Sequence, residues 1–94
     1  MPRHTTLIIS STGWTEITNA DVTSLTFQNI SGEDLLVAGA PDADPPANED
    51  GALIYQPMQG ELNVAIDDLF PGISAVRLFA KTRKSVTKVT VSHA

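Results

Sequence analysis

Apolar and polar residues alternate in short runs along most of the chain, and the clearest run lies between Glu61 and Asp67. Leu62, Val64 and Ile66 occupy every second position there, which is the period of a strand with one buried face. The pattern predicts that these three side chains form one wall of a core. The apolar positions expected opposite or beside them are Leu25, Phe27, Leu35, Val37, Leu78 and Val89.

The same pattern predicts about eight short strands along the whole chain. They cover residues 5–10, 14–18, 22–30, 35–38, 52–56, 61–67, 74–81 and 85–92, and a single helical turn fits residues 67–70. Turn-forming residues separate them at the intervals typical of a sandwich or barrel. We therefore expect one all-β domain over residues 1–94, either a small antiparallel β-sandwich or a jelly-roll-like barrel.

The segment from Ala40 to Gly51 has the composition of a projecting loop. It holds three prolines and four acidic residues, and it has no large apolar side chain. We expect it to contribute nothing to the core and to be mobile or ordered only by a neighbouring subunit. Its carboxylates could gather around calcium, but Pro45-Pro46 interrupts them and their spacing matches no defined calcium loop. An exposed acidic loop is the favoured interpretation.

Charge and composition narrow the classes of partner. The net charge of −5 argues against nucleic acid as the main partner. No apolar run approaches the ~18 residues of a membrane span, so we expect no membrane partner. Residues 1–50 carry a net charge of −7 and residues 51–94 a net charge of +2. One end of the fold could thus be acidic and the other basic, although solvated loops at either end are the simpler interpretation.

No residue pattern indicates catalysis. His4 and His93 have no carboxylate close in sequence, so neither is set up as a catalytic base or a metal ligand, and we expect both to be solvated. The chain has no cysteine and no Gly-x-Ser-x-Gly nucleophile elbow. The prediction is a protein without enzymatic activity, without a metal and without a cofactor.

Five stretches of the chain, taken in order, resemble small structural proteins of tailed bacteriophages. These are Phe27-Gln28-Asn29 at a strand end, the strand 35–38, the acidic loop 41–50, residues 53–61 with a Pro-x-x-Gly-Glu turn, and residues 78–91 with the closing Val-Thr-Val. The resemblance covers about two-thirds of the chain. It rests on strand and turn patterns, and no chemical motif takes part in it.

The resemblance implies a non-enzymatic virion structural protein, of the capsid decoration (cement), head spike, or head or tail accessory kind. Such a protein is made in the cytoplasm of the bacterial host and ends up in the virion. Its partners would be other virion proteins, such as the major capsid or tail proteins, and further copies of the same chain in a homo-oligomer.

We expect three parts of the chain to carry these partner contacts: the acidic loop, the basic turn and the last strand. The last strand, which includes Val86, could extend the sheet of a neighbour as terminal strands do. The predicted partner-binding residues are Asp42, Asp44, Glu49, Asp50, Arg83, Lys84, Val89 and Val91.

Two other functions stay open. A carbohydrate- or receptor-binding module at the virion surface would use Trp14 and Tyr55 as an exposed, coplanar platform. Buried rings would favour the structural role instead. A small enzyme or metal-dependent β domain would need a convergent polar pocket.

Overall fold

The alternating pattern gives eight strands in residues 2–94, the part of the chain that this computed structural model describes. The elements are β1 (Arg3–Ile9), β2 (Thr15–Glu16), β3 (Ser24–Asn29), β4 (Leu35–Ala40), β5 (Leu53–Tyr55), β6 (Gly60–Ala65), α1 (Ile66–Leu69), β7 (Arg77–Lys81) and β8 (Thr87–His93). Each predicted strand overlaps an observed one, and α1 is the predicted helical turn. The prediction of a mostly β domain with eight strands is confirmed.

The strands form two antiparallel sheets of four strands each. The first sheet has the order β1-β8-β3-β6, and the second has the order β2-β7-β4-β5. Each sheet keeps two edge strands of its own, so the two are not closed into one barrel. The sandwich prediction is therefore confirmed, and the barrel alternative is wrong.

The core lies between the two sheets. All six residues expected to face the alternating strand are buried there: Leu25, Phe27 and Val89 from the first sheet, and Leu35, Val37 and Leu78 from the second. The Phe27 and Tyr55 rings meet edge to face, with their centroids 5.0 Å apart. This packing joins β3 of the first sheet to β5 of the second.

The strand β6 departs from its predicted alternation. Leu62 is 86% exposed, whereas Ile66 is 1% exposed and belongs to α1 rather than to the strand. The β3–β6 register shifts between the pairs Leu25–Val64 and Phe27–Glu61, and Asn63 has a positive φ of 44°. An inserted residue of this kind is a β-bulge, which moves the following side chains to the other face. The prediction that Leu62, Val64 and Ile66 form one wall is wrong for Leu62.

One described element is helical, and it cannot cross a bilayer. In residues 2–94, no helix has the length and apolar character that a membrane span requires.

Candidate functional site

The acidic loop, residues 41–51, is folded by its own chain. The Asp42 side chain accepts a hydrogen bond from the backbone N–H of Asp44 at 2.9 Å, and the Asn48 side chain accepts one from Asp50 at 2.9 Å. Residues 41–51 lie outside the core cluster, as predicted, whereas Ala40, which was expected to begin the loop, is the buried last residue of β4. The expectation that the loop is mobile or ordered only by a neighbouring subunit stays a prediction.

Glu49 ties the acidic loop to the second sheet. Its carboxylate lies 3.0 Å from Lys81 Nζ and 3.9 Å from Arg83 Nε. Lys81 Nζ also lies 5.6 Å from the centre of the Trp14 ring. Lys81 pairs with Leu36 across the sheet, so these contacts lie on the side of the second sheet that faces away from the core.

That outer side of the second sheet is itself buried. Leu36, Ala38 and Phe79 alternate with core residues and therefore point away from the core, yet all three are buried. The loop and Trp14 lie on this side through their contacts with Lys81. We infer that the acidic loop protects an apolar sheet face, a role that its polar composition does not reveal.

Ion pairs also join the two halves of the chain elsewhere. Arg77 lies 2.8 Å from Asp21 and 3.0 Å from Glu16. These hydrogen bonds, first the one to Asp21 and then the one to Glu16, raise the pKa of Arg77. Because acids of residues 1–50 pair with bases of residues 77–83, the charges do not separate into an acidic end and a basic end. These ion pairs do not support the alternative of one acidic end and one basic end.

The last strand cannot serve as a free edge. β8 lies between β1 and β3, and it is paired with both. Val89 and Val91 are buried in the core, so neither side chain is open to a partner. The prediction that this strand extends a neighbouring sheet is wrong, because the last strand of the chain is a central strand of its sheet.

The other predicted partner residues are exposed. Arg83 and Lys84 lie in the turn before β8, which the Thr82 hydroxyl closes by donating to the Ser85 carbonyl. Asp42, Asp44 and Asp50 line the surface of the acidic loop. Of the eight residues, the structure brings Glu49 and Arg83 into contact.

The two histidines differ in their exposure to solvent. His4 is exposed, with its Nδ1 atom 3.2 Å from the Ser92 hydroxyl. His93 faces the core side of β8 and is buried, so the prediction that both histidines are solvated is wrong for His93. In the described residues, 2–94, no three His, Cys, Asp or Glu side chains are grouped closely enough to hold a metal ion.

The two aromatic residues considered for sugar stacking do not form a platform. Tyr55 lies on β5 and Trp14 precedes β2, and these strands are the opposite edges of the second sheet. Tyr55 is buried, and Trp14 is partly buried beside Lys81. Burial of these rings favours a structural role over binding of a carbohydrate or receptor.

The sequence pattern missed a surface at the adjoining edges of the two sheets. Ile54 of β5, Met58 of the connecting turn and Leu62 of β6 are 50%, 65% and 86% exposed. Ile54 and Met58 line an open groove of about 560 Å³ between β5 and β6, which is called the edge groove below, and Leu62 lies in an adjoining depression that Met58 also lines. Alternation alone placed Leu62 in the core, so only the bulge in β6 reveals this apolar surface.

The turn that presents Met58 is fixed to the end of β3. The Met58 N–H donates to the Asn29 carbonyl at 2.7 Å, and the Gln28 side chain donates to the Met58 carbonyl at 2.9 Å. Asn29 is itself buried, and its side chain donates to the Glu33 and Tyr55 carbonyls at 2.7 and 3.2 Å. Because this turn is held at several points, Met58 is presented in a defined position.

A partly buried polar pair forms part of the edge groove. The Tyr55 hydroxyl donates a hydrogen bond to Glu61 at 3.1 Å. Burial of the ring, followed by the charge of Glu61 and this hydrogen bond, raises the pKa of Tyr55 well above its ordinary value. The pair keeps the tyrosine neutral and fixes the spacing between β5 and β6.

The edge groove thus combines exposed apolar side chains, two strand edges and one oriented carboxylate. This arrangement suits contact with another macromolecule, since large apolar side chains grouped on a surface mark interaction sites. Comparisons of the chain with protein-family models, curated proteins and solved structures found no match.

Proposed function

We propose that the protein is a non-enzymatic structural component of a tailed-bacteriophage virion, of the capsid decoration or head or tail accessory kind, which docks on the particle through the edge groove. The observation that carries the docking role is the exposure of Ile54 and Met58 in the edge groove, with Leu62 exposed in the depression beside it. Its assignment to a virion rests on the resemblance of the strand and turn pattern to phage structural proteins.

Exposure of these three apolar side chains to water is unfavourable, and docking on a partner would remove it. Burial of apolar surface against a partner contributes roughly 25 cal/mol per Å², so such a group is a source of binding energy. The turn between Tyr55 and Gly60 is already fixed by hydrogen bonds to β3. A surface that is ordered before binding loses little conformational entropy on docking.

The proposed partners are other virion proteins, and the proposed location is the assembled particle after synthesis in the host cytoplasm. The exposed acids Asp42, Asp44 and Asp50 and the exposed bases Arg83 and Lys84 supply further surface charge that could set the orientation of the docked protein. A carbohydrate- or receptor-binding role has less support, because Tyr55 is buried and Trp14 lies at the opposite edge of the second sheet.

The test is to purify particles produced by the genome that encodes this chain and to measure its copy number in them by quantitative mass spectrometry. We expect the protein in many copies per particle, in a fixed ratio to the major capsid or tail protein. Its absence from purified particles, together with no binding of added protein to them, would contradict the proposal.

A further inference from the structure

The four edge strands of the sandwich are unequally protected against pairing with another chain. Edge strands expose unpaired backbone groups, and proteins commonly protect them by shortness or by a bulge. β2 has two residues, β5 has three, and β6 carries the bulge near Asn63. β1 has seven residues and pairs with β8 in an unbroken register from Arg3–His93 to Ile9–Thr87.

The free edge of β1 is also open on both of its faces. Thr5 and Leu7 point toward the second sheet, yet Thr5 is exposed and Leu7 is only partly buried, because the short strand β2 gives little cover at this edge. On the opposite face, Ile8 is 68% exposed. In residues 2–94, β8 is the one strand that pairs with β1.

The charge around β1 favours a second copy of the chain as the partner. The protein has a net charge of −5, so two copies repel one another over most approaches. Residues 1–15 contain no acidic residue, and Arg3 is the one fully charged side chain among them. Two copies that approach through β1 therefore pair along strands that carry no carboxylate.

We infer that the protein dimerises by antiparallel pairing of β1 with β1 of a second copy, about a twofold axis at Thr6. This register pairs all seven residues of each strand and keeps every side chain on its own face of the sheet. Thr6 lies opposite the partner's Thr6, a favourable cross-strand pair. Leu7 then lies opposite the partner's Thr5, and the two Arg3 side chains are at opposite ends of the interface.

The inferred dimer has one continuous sheet made from the two first sheets. Such an interface is isologous and closes after two copies, so it does not propagate into fibres. It lies on the edge opposite β6 and leaves the edge groove of each copy free. The inference is independent of the proposed function, because the pairing uses only the chain's own strand.

Disulfide trapping tests both the dimer and its register, since the natural chain has no cysteine. In the inferred register, the two Cα atoms of residue 6 lie ~4.5–5.5 Å apart, within disulfide range. The two Cα atoms of residue 8 lie roughly 14 Å apart, beyond that range. Thr6→Cys should cross-link at least tenfold faster than Ile8→Cys under mild oxidation, while a mixture of His4→Cys and Ile8→Cys proteins should cross-link to each other.

The mass of the unmodified protein in solution provides the independent readout. Sedimentation equilibrium should give the mass of two chains at high concentration. Thr6→Lys, which places like charges opposite one another, should weaken the dimer at least tenfold, whereas Thr23→Lys, at an exposed position before β3, should leave it unchanged. A single-chain mass at every concentration would overturn the inference, as would equal cross-linking rates for the residue 6 and residue 8 variants.

Discussion

At the scale of single residues, Leu62 and Ile66 show how closely spaced apolar positions acquire opposite roles. Both fit one alternating pattern in the sequence, but the bulge at Asn63 and the start of α1 separate them. Ile66 ends in the core beside other buried side chains, while Leu62 is exposed beside the edge groove. The first residue therefore contributes to folding, and the second is available for binding.

Ile66→Ala should lower the free energy of unfolding by ~2–4 kcal/mol, the usual cost of removing a buried aliphatic side chain. Leu62→Ala is the matched control, and it should change the stability by less than about 0.5 kcal/mol because its side chain is already exposed. Urea denaturation of both variants measures the two effects. Equal losses in the two variants would contradict the observed register of β6.

Tyr55 makes the stability of the fold sensitive to alkaline pH. Its pKa is raised in the folded protein, so the neutral phenol stabilises the fold below the unfolded-state pKa of about 10, and this contribution is lost as the pH rises above that value. As the pH rises from ~9 to ~11, the free energy of unfolding should therefore fall less for Tyr55→Phe than for the natural protein. Denaturation of the two proteins across this range measures the difference.

The phenol itself can be titrated directly, because Tyr55 is the single tyrosine of the chain. Phenolate absorbance should appear only well above pH ~10 while the protein is folded. Glu61→Gln should preserve much of the shift, since burial is its largest cause. An ordinary titration near pH 10 in the folded protein would show that the ring is not buried as described.

At the scale of elements, the sequence predicted the strands and turns, which depend on local pattern. It did not predict the features that depend on how the strands are arranged in the fold. All eight strands and the helical turn followed from alternation and turn residues. The bulge in β6 did not, because an inserted residue leaves the apolar periodicity unchanged. The central position of β8 and the burial of Leu36 on the outer side of the second sheet depend on topology, which no local pattern encodes.

Within the candidate site, sequence reasoning found the exposed charges but not the apolar groove. The acids of the loop and the bases of the turn before β8 lie at the surface, as polar segments usually do. Met58 and Leu62 could not be distinguished from core residues by type. Their exposure follows from the turn held by Asn29 and from the bulge, and both are tertiary features.

Gly60 is the residue on which the pairing of β3 with β6 depends. A Cβ atom at this position would lie 2.1 Å from the Phe27 carbonyl oxygen and 2.6 Å from the Gln28 Cα atom. Gly60→Ala should therefore push the strands apart and cost about 1–3 kcal/mol or more. Gly13→Ala is the control, because nothing lies within 4 Å of the added Cβ atom there. Thermal unfolding should show a clearly lower melting temperature for Gly60→Ala than for Gly13→Ala. Equal melting temperatures would contradict the close approach of Gly60 to β3.

At the scale of the whole molecule, the two sides of the first sheet have separate roles. β1 forms one edge and is open to a second copy, whereas β6 forms the other edge and carries the groove proposed for docking. In the inferred dimer the two edge grooves lie at opposite ends of one extended sheet. One dimer could therefore contact two neighbouring subunits of a symmetric particle.

Binding to particles shows whether the edge groove docks the protein on the virion. Purified particles that lack the protein are mixed with one of three proteins. The first is the natural protein, and the second is the groove variant, which carries Met58→Lys and Leu62→Lys. The third is a control that carries Ile73→Lys and Thr23→Lys and so adds the same charge at other exposed positions. All three should stay folded. The natural protein and the control should co-sediment with the particles, whereas the groove variant should stay in solution. Equal binding of all three proteins, or no binding of the natural protein, would contradict the account.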